Sequence, residues 1–189
     1  GNDLLDLVRA KYPRISDPEF VVKNRKYYFR EGVSWSDIST NGNAFRLIPK
    51  GVVFDACAHS FFVDNAEDRI ALLSYCNNNF VDVSVRALNP TVHFHVGYFN
   101  LLPSPDRVES RSLAELGNVL VPISKQDWDS RETSWDFEQS PLLNETNALE
   151  QAVQTWQEQV TQNFFQLHTN EEELNRIFID IYGLQEELT

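Results

Sequence analysis

Two pairs of soft ligands stand out in this 189-residue chain: Cys57 with His59, and His93 with His95, each pair separated by one residue. In an extended strand alternate side chains share a face, so each pair would project from one side. One thiolate and three imidazoles would be enough for a tetrahedral zinc ion. The spacing argues against it, since structural zinc sites usually take ligands two to four residues apart and nothing obliges the two pairs to meet. The expectation is therefore no metal, with Cys57 buried and His93 and His95 lining one strand face, where they could act as polar contacts. Other chemistries lack a signature. There is no P-loop, no Gly-rich dinucleotide loop, no G-x-S-x-G, no H-E-x-x-H and no C-x-x-C, and no Ser or Cys is singled out as a nucleophile.

Charge supplies the next candidates. The net charge of −12 argues at first against nucleic acid, but it is unevenly placed. Residues 111–189 carry 4 basic against 15 acidic side chains, whereas residues 1–50 carry 9 against 6. The basic cluster is Lys23, Arg25, Lys26 and Arg30, followed by Arg46 and Lys50. Phosphate neutralisation needs only a few such side chains, so this part could touch DNA; a solvated loop is the alternative. In the acidic part, Trp128 and Trp135 stand among Asp127, Asp129, Glu132, Asp136 and Glu138. These carboxylates could chelate a cation. The expectation is instead that they surround buried tryptophans and dock on a basic surface.

The elements that must position these groups follow from periodicity. Leu4, Leu5, Leu7 and Val8 mark a short helix that Pro13 stops. Short strands are expected over 26–30, 33–36, 45–48, 51–55 and 60–63, with turns at Asn41-Gly42-Asn43 and Pro49-Lys50-Gly51. Asp64 and Glu67 form an expected capping box for a helix that ends near Asn77-Asn78-Asn79. Residues 80–88 fit either strand, by their valines, or one helical face; 91–99 alternates as a strand. Leu113–Val121 is weakly helical and Asp127–Pro141 reads as a loop. Residues 146–168 and 169–182 read as two amphipathic helices making an αα-hairpin that stops at Gly183. Trp35 and Phe54 are expected in the core.

Composition bounds the class. A hydrophobic fraction of 42% and an aromatic fraction of 12% belong to a globular protein. No apolar run approaches the ~18 residues of a membrane helix. No signal peptide is recognisable, and the two cysteines do not make a disulfide framework, so a cytoplasmic protein with no membrane partner is expected. The chain opens Gly1-Asn2 and holds 0 methionines, which suggests a piece of a longer protein.

Several stretches resemble the C-terminal half of the adenine-specific DNA methyltransferases of BREX phage-defence systems (PglX-like), and more distantly type IIG restriction–modification enzymes. They are KYPRISDPEF (Lys11–Phe20), YYFREGVSWS (Tyr27–Ser36), GVVFD (Gly51–Asp55), LNPT (Leu88–Thr91), DWDSRETSWDF (Asp127–Phe137) and EEELNRIFIDIYGL (Glu171–Leu184). They fall in the family's order and cover nearly the whole chain. The departures are Ala56-Cys57-Ala58-His59-Ser60, where the family tends to Gly-Ser, and His93-Phe94-His95, where it tends to Asn-Phe-Gln. Asn89-Pro90-Thr91 lacks the second Pro and the aromatic of the amino-methyltransferase motif and is read as a turn.

The resemblance implies a parent enzyme with an upstream S-adenosylmethionine-binding domain that methylates adenine N6 in double-stranded DNA. This chain would itself hold no cofactor and no catalytic residue. It implies an α+β fold: a small twisted β-module with packed helices over 20–110, akin to a target-recognition domain, preceded by a linker helix (1–19) and followed by an acidic helical spacer with an αα-hairpin (111–189). It also makes 80–88 a helix. Lys23, Arg25, Lys26 and Arg30 would contact phosphates, while Ser39, Asn43, Arg46, His93 and His95 would read bases. Partners would be DNA, the upstream domain and other defence proteins. The alternatives are a docking module of such a complex without base reading, and a free-standing, zinc-dependent enzyme.

Overall fold

The computed structural model describes residues 2–40, 42–103, 110–143 and 148–188. It is an α+β fold with a small antiparallel sheet and six α-helices among the described residues: α1 (Asn2–Lys11), β1 (Gly32–Ser36), β2 (Phe45–Ile48), β3 (Ala58–Phe61), α2 (Ala66–Cys76), α3 (Asn79–Leu88), α4 (Val96–Phe99), α5 (Ser110–Asp129) and α6 (Leu149–Tyr182). No described helix is long and apolar enough to cross a membrane.

The sheet order is β2-β1-β3, with Trp35 opposite Phe45 on one side and His59 on the other. Paired residues in an antiparallel sheet share a face. Val33 and Trp35 therefore turn inward with Phe45, and all three are buried. The same core cluster takes in Leu73 and Tyr75 of α2, Val81 and Val85 of α3, Leu113 of α5 and Phe178 of α6. The acidic helices thus share one core with the β-module.

Three consecutive asparagines organise the centre. Asn77 behaves as a substitute strand: its side chain accepts from the Phe45 amide (2.9 Å) and donates to the Phe45 carbonyl (3.0 Å). Asn78 caps α3 by accepting from the Val81 amide at 2.9 Å. The Asn79 amide donates to Asn175 of α6 at 2.9 Å. The hydroxyls of Tyr75 and Tyr182 both donate to the Pro103 carbonyl, at 2.5 and 2.7 Å. Burial, then Tyr182, pushes the Tyr75 hydroxyl pKa well up.

Several expectations change. Residues 26–30 are not a strand but a 3-10 turn (Arg25–Tyr27), with Asn24 and Phe29 at φ of 59° and 65°. The Phe29 amide nevertheless donates to the Val52 carbonyl at 2.9 Å, and residues 51–55 run alongside without forming a strand. The cap of α2 is Asn65, which accepts from the Asp68 amide; Asp64 is taken by Arg30. The stretch 91–99 pairs only through an Ile38–His93 bridge and then coils into α4, because Trp35 draws the Phe94 carbonyl onto its indole nitrogen at 2.7 Å. Residues 80–88 are helical, as the resemblance implied. α5 extends through Pro122 to Asp129, into the expected loop. The αα-hairpin is a single helix of 34 residues, α6, since Thr169 and Asn170 contain no obligatory breaker. It stops at Gly183, as expected, in a Schellman arrangement: the Leu184 amide donates to the Ile179 carbonyl at 2.9 Å.

Candidate functional site

The sheet ends in a cluster that the sequence indicated only in part. Asp37 follows β1 directly and lies on the same side as Trp35, two residues on. His59 comes from β3 and stacks beside the Trp35 indole, with ring centroids 5.5 Å apart. His93 and His95 come from the segment held by the Ser39 amide on the Val92 carbonyl (3.0 Å) and the Phe94 amide on the Asp37 carbonyl (2.7 Å). Asn89 completes the support: its side-chain oxygen accepts from the Thr91 amide at 3.1 Å and its amide donates to the His93 carbonyl. Asn89-Pro90-Thr91 is thus the turn expected, and it aims the histidine pair.

The side chains converge on the Asp37 carboxylate. One oxygen lies 3.3 Å from His59 Nε2 and 3.0 Å from His95 Nδ1; the other lies 3.1 Å from His93 Nδ1. His59 Nε2 and His95 Nδ1 are themselves 3.3 Å apart. Burial works against the charge on Asp37, but hydrogen bonds from His93 and His59 and the nearby charge of His95 prevail, holding its pKa below the usual carboxylate value. Asp37 and His59 are 15% and 16% exposed, against 47% and 56% for His93 and His95, so the cluster has a closed floor and an open mouth.

The histidines of the two sequence pairs therefore do meet, but Cys57 does not join them. It is exposed, not buried as expected, and its amide is tied to Asp55 at 2.8 Å. Asp37 takes its place. No spacing pointed to Asp37, because what brings it to the histidines is the antiparallel register.

The candidate DNA contacts fall into two groups, one before the start of β1 and one about its far end. At its start, Lys23 and Lys26 lie against the rings of Phe20 and Tyr27, at 5.6 and 5.0 Å from the centroids. Arg25 is 3.8 Å from Glu19, and Arg30 pairs with Asp64 over the Tyr27 ring. At the other end stand Ser39, whose hydroxyl donates to the Gly42 carbonyl, and Asn43, half-buried before β2. Arg46, exposed on β2, donates to the Ser36 hydroxyl at 2.9 Å. His93 and His95 belong to this second group. Trp35 is core, as expected, and Phe54 is half-buried, packed on Tyr28 and Phe62.

The acidic loop differs from expectation. Trp135 is fully exposed and Trp128 is 54% exposed, so the carboxylates do not surround buried tryptophans. Lys125 bridges Asp129 and Asp136, the latter at 2.6 Å, and Arg131 pairs with Asp127 at 2.8 Å. Asp129 also accepts from Ser134, and the Lys125 and Ser134 hydrogen bonds hold its pKa below the usual value. These acids are occupied by cationic and hydroxyl partners.

No protein-family model matches the chain. It is 38% identical over 172 residues to the adenine-specific methyltransferase PglX of Lacticaseibacillus casei (strain Zhang), an alignment covering 88% of this chain and 14% of that protein. It is 28% identical over 170 residues to the adenine-specific methyltransferase BrxX of Escherichia coli O9:H4 (strain HS), covering 89% of this chain and 14% of that protein. The chain is thus homologous to a segment of these methyltransferases and spans only 14% of their length.

Proposed function

We propose that this homologue of a methyltransferase segment is the DNA target-recognition region of an N6-adenine methyltransferase in a phage-defence system. The observation that carries the reading is the 38% identity, running along 88% of the chain, to an enzyme named for adenine-specific methylation. The sequence matched holds no cofactor-binding loop of its own. Catalysis and S-adenosylmethionine binding then fall to an upstream domain. Methylation of N6 requires the adenine to leave the duplex, and a separate module must keep the DNA in register and read base edges.

The two polar groups suit that division of labour. Lys23, Arg25, Lys26 and Arg30 contact phosphates from the start of β1. Ser39, Asn43, Arg46, His93 and His95 face base edges from its far end. The five-residue strand between them spans about 13–16 Å, comparable with the roughly 12 Å width of the major groove. The acidic helices turn away from DNA.

The test is to exchange residues 20–100 in the full-length enzyme for those of a relative and to sequence the methylated bases in cells. Movement of N6-methyladenine to a new sequence motif supports the reading. Persistence of methylation at the old motif refutes it.

A second reading is favoured by the fully exposed Trp135 and the half-exposed Trp128 at the end of α5. Exposed indoles suit docking on a protein surface, either the upstream domain or a defence partner. Under this reading alone, Trp135→Ala abolishes assembly, while exchange of residues 20–100 leaves the methylated motif unchanged.

A further inference from the structure

We propose that Asp37, His59, His93 and His95 form a binding site for a divalent transition metal ion of the zinc class. The argument is geometric. Around a tetrahedral zinc ion, with bonds of about 2.0–2.1 Å, neighbouring donor atoms lie about 3.3–3.4 Å apart. Here an Asp37 oxygen, His59 Nε2 and His95 Nδ1 form a triangle with edges of 3.0, 3.3 and 3.3 Å. The triangle is already the face of such a tetrahedron. His93 stands beside this face: its Nδ1 lies 3.1 Å from the other Asp37 oxygen, and its donor atom groups within 4.8 Å of those of Asp37 and His95, a grouping that does not include His59. A turn of its side chain, which is 47% exposed, would bring it in as the fourth ligand.

The donor set selects the ion. Three imidazoles and one carboxylate suit zinc, cobalt or nickel, whereas calcium and magnesium require oxygen shells. An ion seated over the triangle would take one lone pair from each of the three donors.

The scaffold is fixed without the side chains. Asp37 and the histidine pair are held by the Phe94–Asp37 and Ser39–Val92 backbone bonds, by the Trp35 indole and by Asn89. The ligands come from three segments distant in the chain, so the ion ties the 92–95 segment to β1 and β3. Asp37, His59 and His95 leave a fourth position open, and His93 turned into it would make this a closed, structural type of site. The half-exposed mouth formed by His93 and His95 is the entry path, and because both would bind through Nδ1, their Nε2 edges stay available for the proposed base contacts. Cys57, the ligand that the sequence spacing suggested, has no part in it.

The experiment uses the whole chain stripped of metal with a chelator. Cobalt(II) should bind one ion per chain and develop the visible absorption of a four-coordinate site, and zinc should displace it. His95→Asn, His59→Asn and Asp37→Asn should each weaken zinc binding by more than about 100-fold, since even losing an outer-sphere partner costs about 10–100-fold. His95→Asn decides the matter if the more buried variants unfold, because its side chain is 56% exposed. Cys57→Ser and His168→Asn should bind as the parent does. The proposal is overturned if the parent chain develops no cobalt chromophore, if folded His95→Asn keeps parental affinity, or if Cys57→Ser loses the metal.

Discussion

A methyl group added at Gly117 tests how the two halves of the chain are joined. Gly117 lies within α5 where it crosses α2, and an added Cβ would sit 2.5 Å from Ser74 Oγ and 2.6 Å from Ile70 Cγ2. Neither neighbour is the far end of a flexible side chain. The Ser74 hydroxyl donates to the Leu113 carbonyl at 3.2 Å, so turning it aside forfeits a hydrogen bond in the core. Helix propensity alone predicts that Gly117→Ala stabilises by about 0.8–1.0 kcal/mol. Overpacking costs about 1–3 kcal/mol, so the net effect is a loss of up to about 2 kcal/mol. At about 2–4 °C per kcal/mol for a chain of this size, the melting temperature falls by several degrees. Gly97, with nothing within 4 Å of an added Cβ, is the internal control. Gly97→Ala stabilises by about 0.5–1 kcal/mol. Urea unfolding of both variants gives the comparison, and Ser74→Gly provides a cycle in which removal of the hydroxymethyl group relieves the clash by more than about 0.5 kcal/mol. If Gly117→Ala is as stable as Gly97→Ala, or if Ser74→Gly shows no coupling to it, the close crossing is wrong.

Three further expectations are simpler to check. Cys57, exposed, reacts at once with a thiol reagent; Cys76, whose thiol burial pushes well above its ordinary pKa, reacts only on unfolding, and equal rates in the native chain would contradict the core. Asn78→Ala loses the α3 cap and destabilises by about 1–2 kcal/mol in urea melts, an effect absent if the cap is supplied elsewhere. Trp35→Phe leaves the Phe94 carbonyl without its indole donor and costs about 1–3 kcal/mol, and NMR of the imidazoles should show His93 and His95 leaving Asp37.

Much of the local structure was legible because it depends on neighbours in the chain. Residues 33–36 and 45–48 alternate and form strands, and Gly183 ends α6 because a left-handed residue was needed there. The strand errors and the shifted cap arise from backbone strain and distant partners that local pattern does not show. Residues 26–30 and 91–99 have strand composition, yet left-handed backbone at Asn24 and Phe29 breaks the first, and the hydrogen bond from the distant Trp35 indole to the Phe94 carbonyl bends the second out of the sheet. The cap of α2 moved by one residue because Arg30, distant in sequence, claims Asp64.

The candidate site divides in the same way. By itself the sequence determined that two one-residue-spaced ligand pairs existed, that basic charge gathered before β1, and, through resemblance, which enzymes the chain is related to. Only the tertiary structure decided that three histidines converge on Asp37 while Cys57 faces solvent. The histidines depend on the register of β3 against β1 and on the bridge between Ile38 and His93, while Cys57 falls in the turn before β3, its amide held by Asp55. A shift of one residue in the first pairing would turn His59 to the opposite face, and in the second His93 and His95.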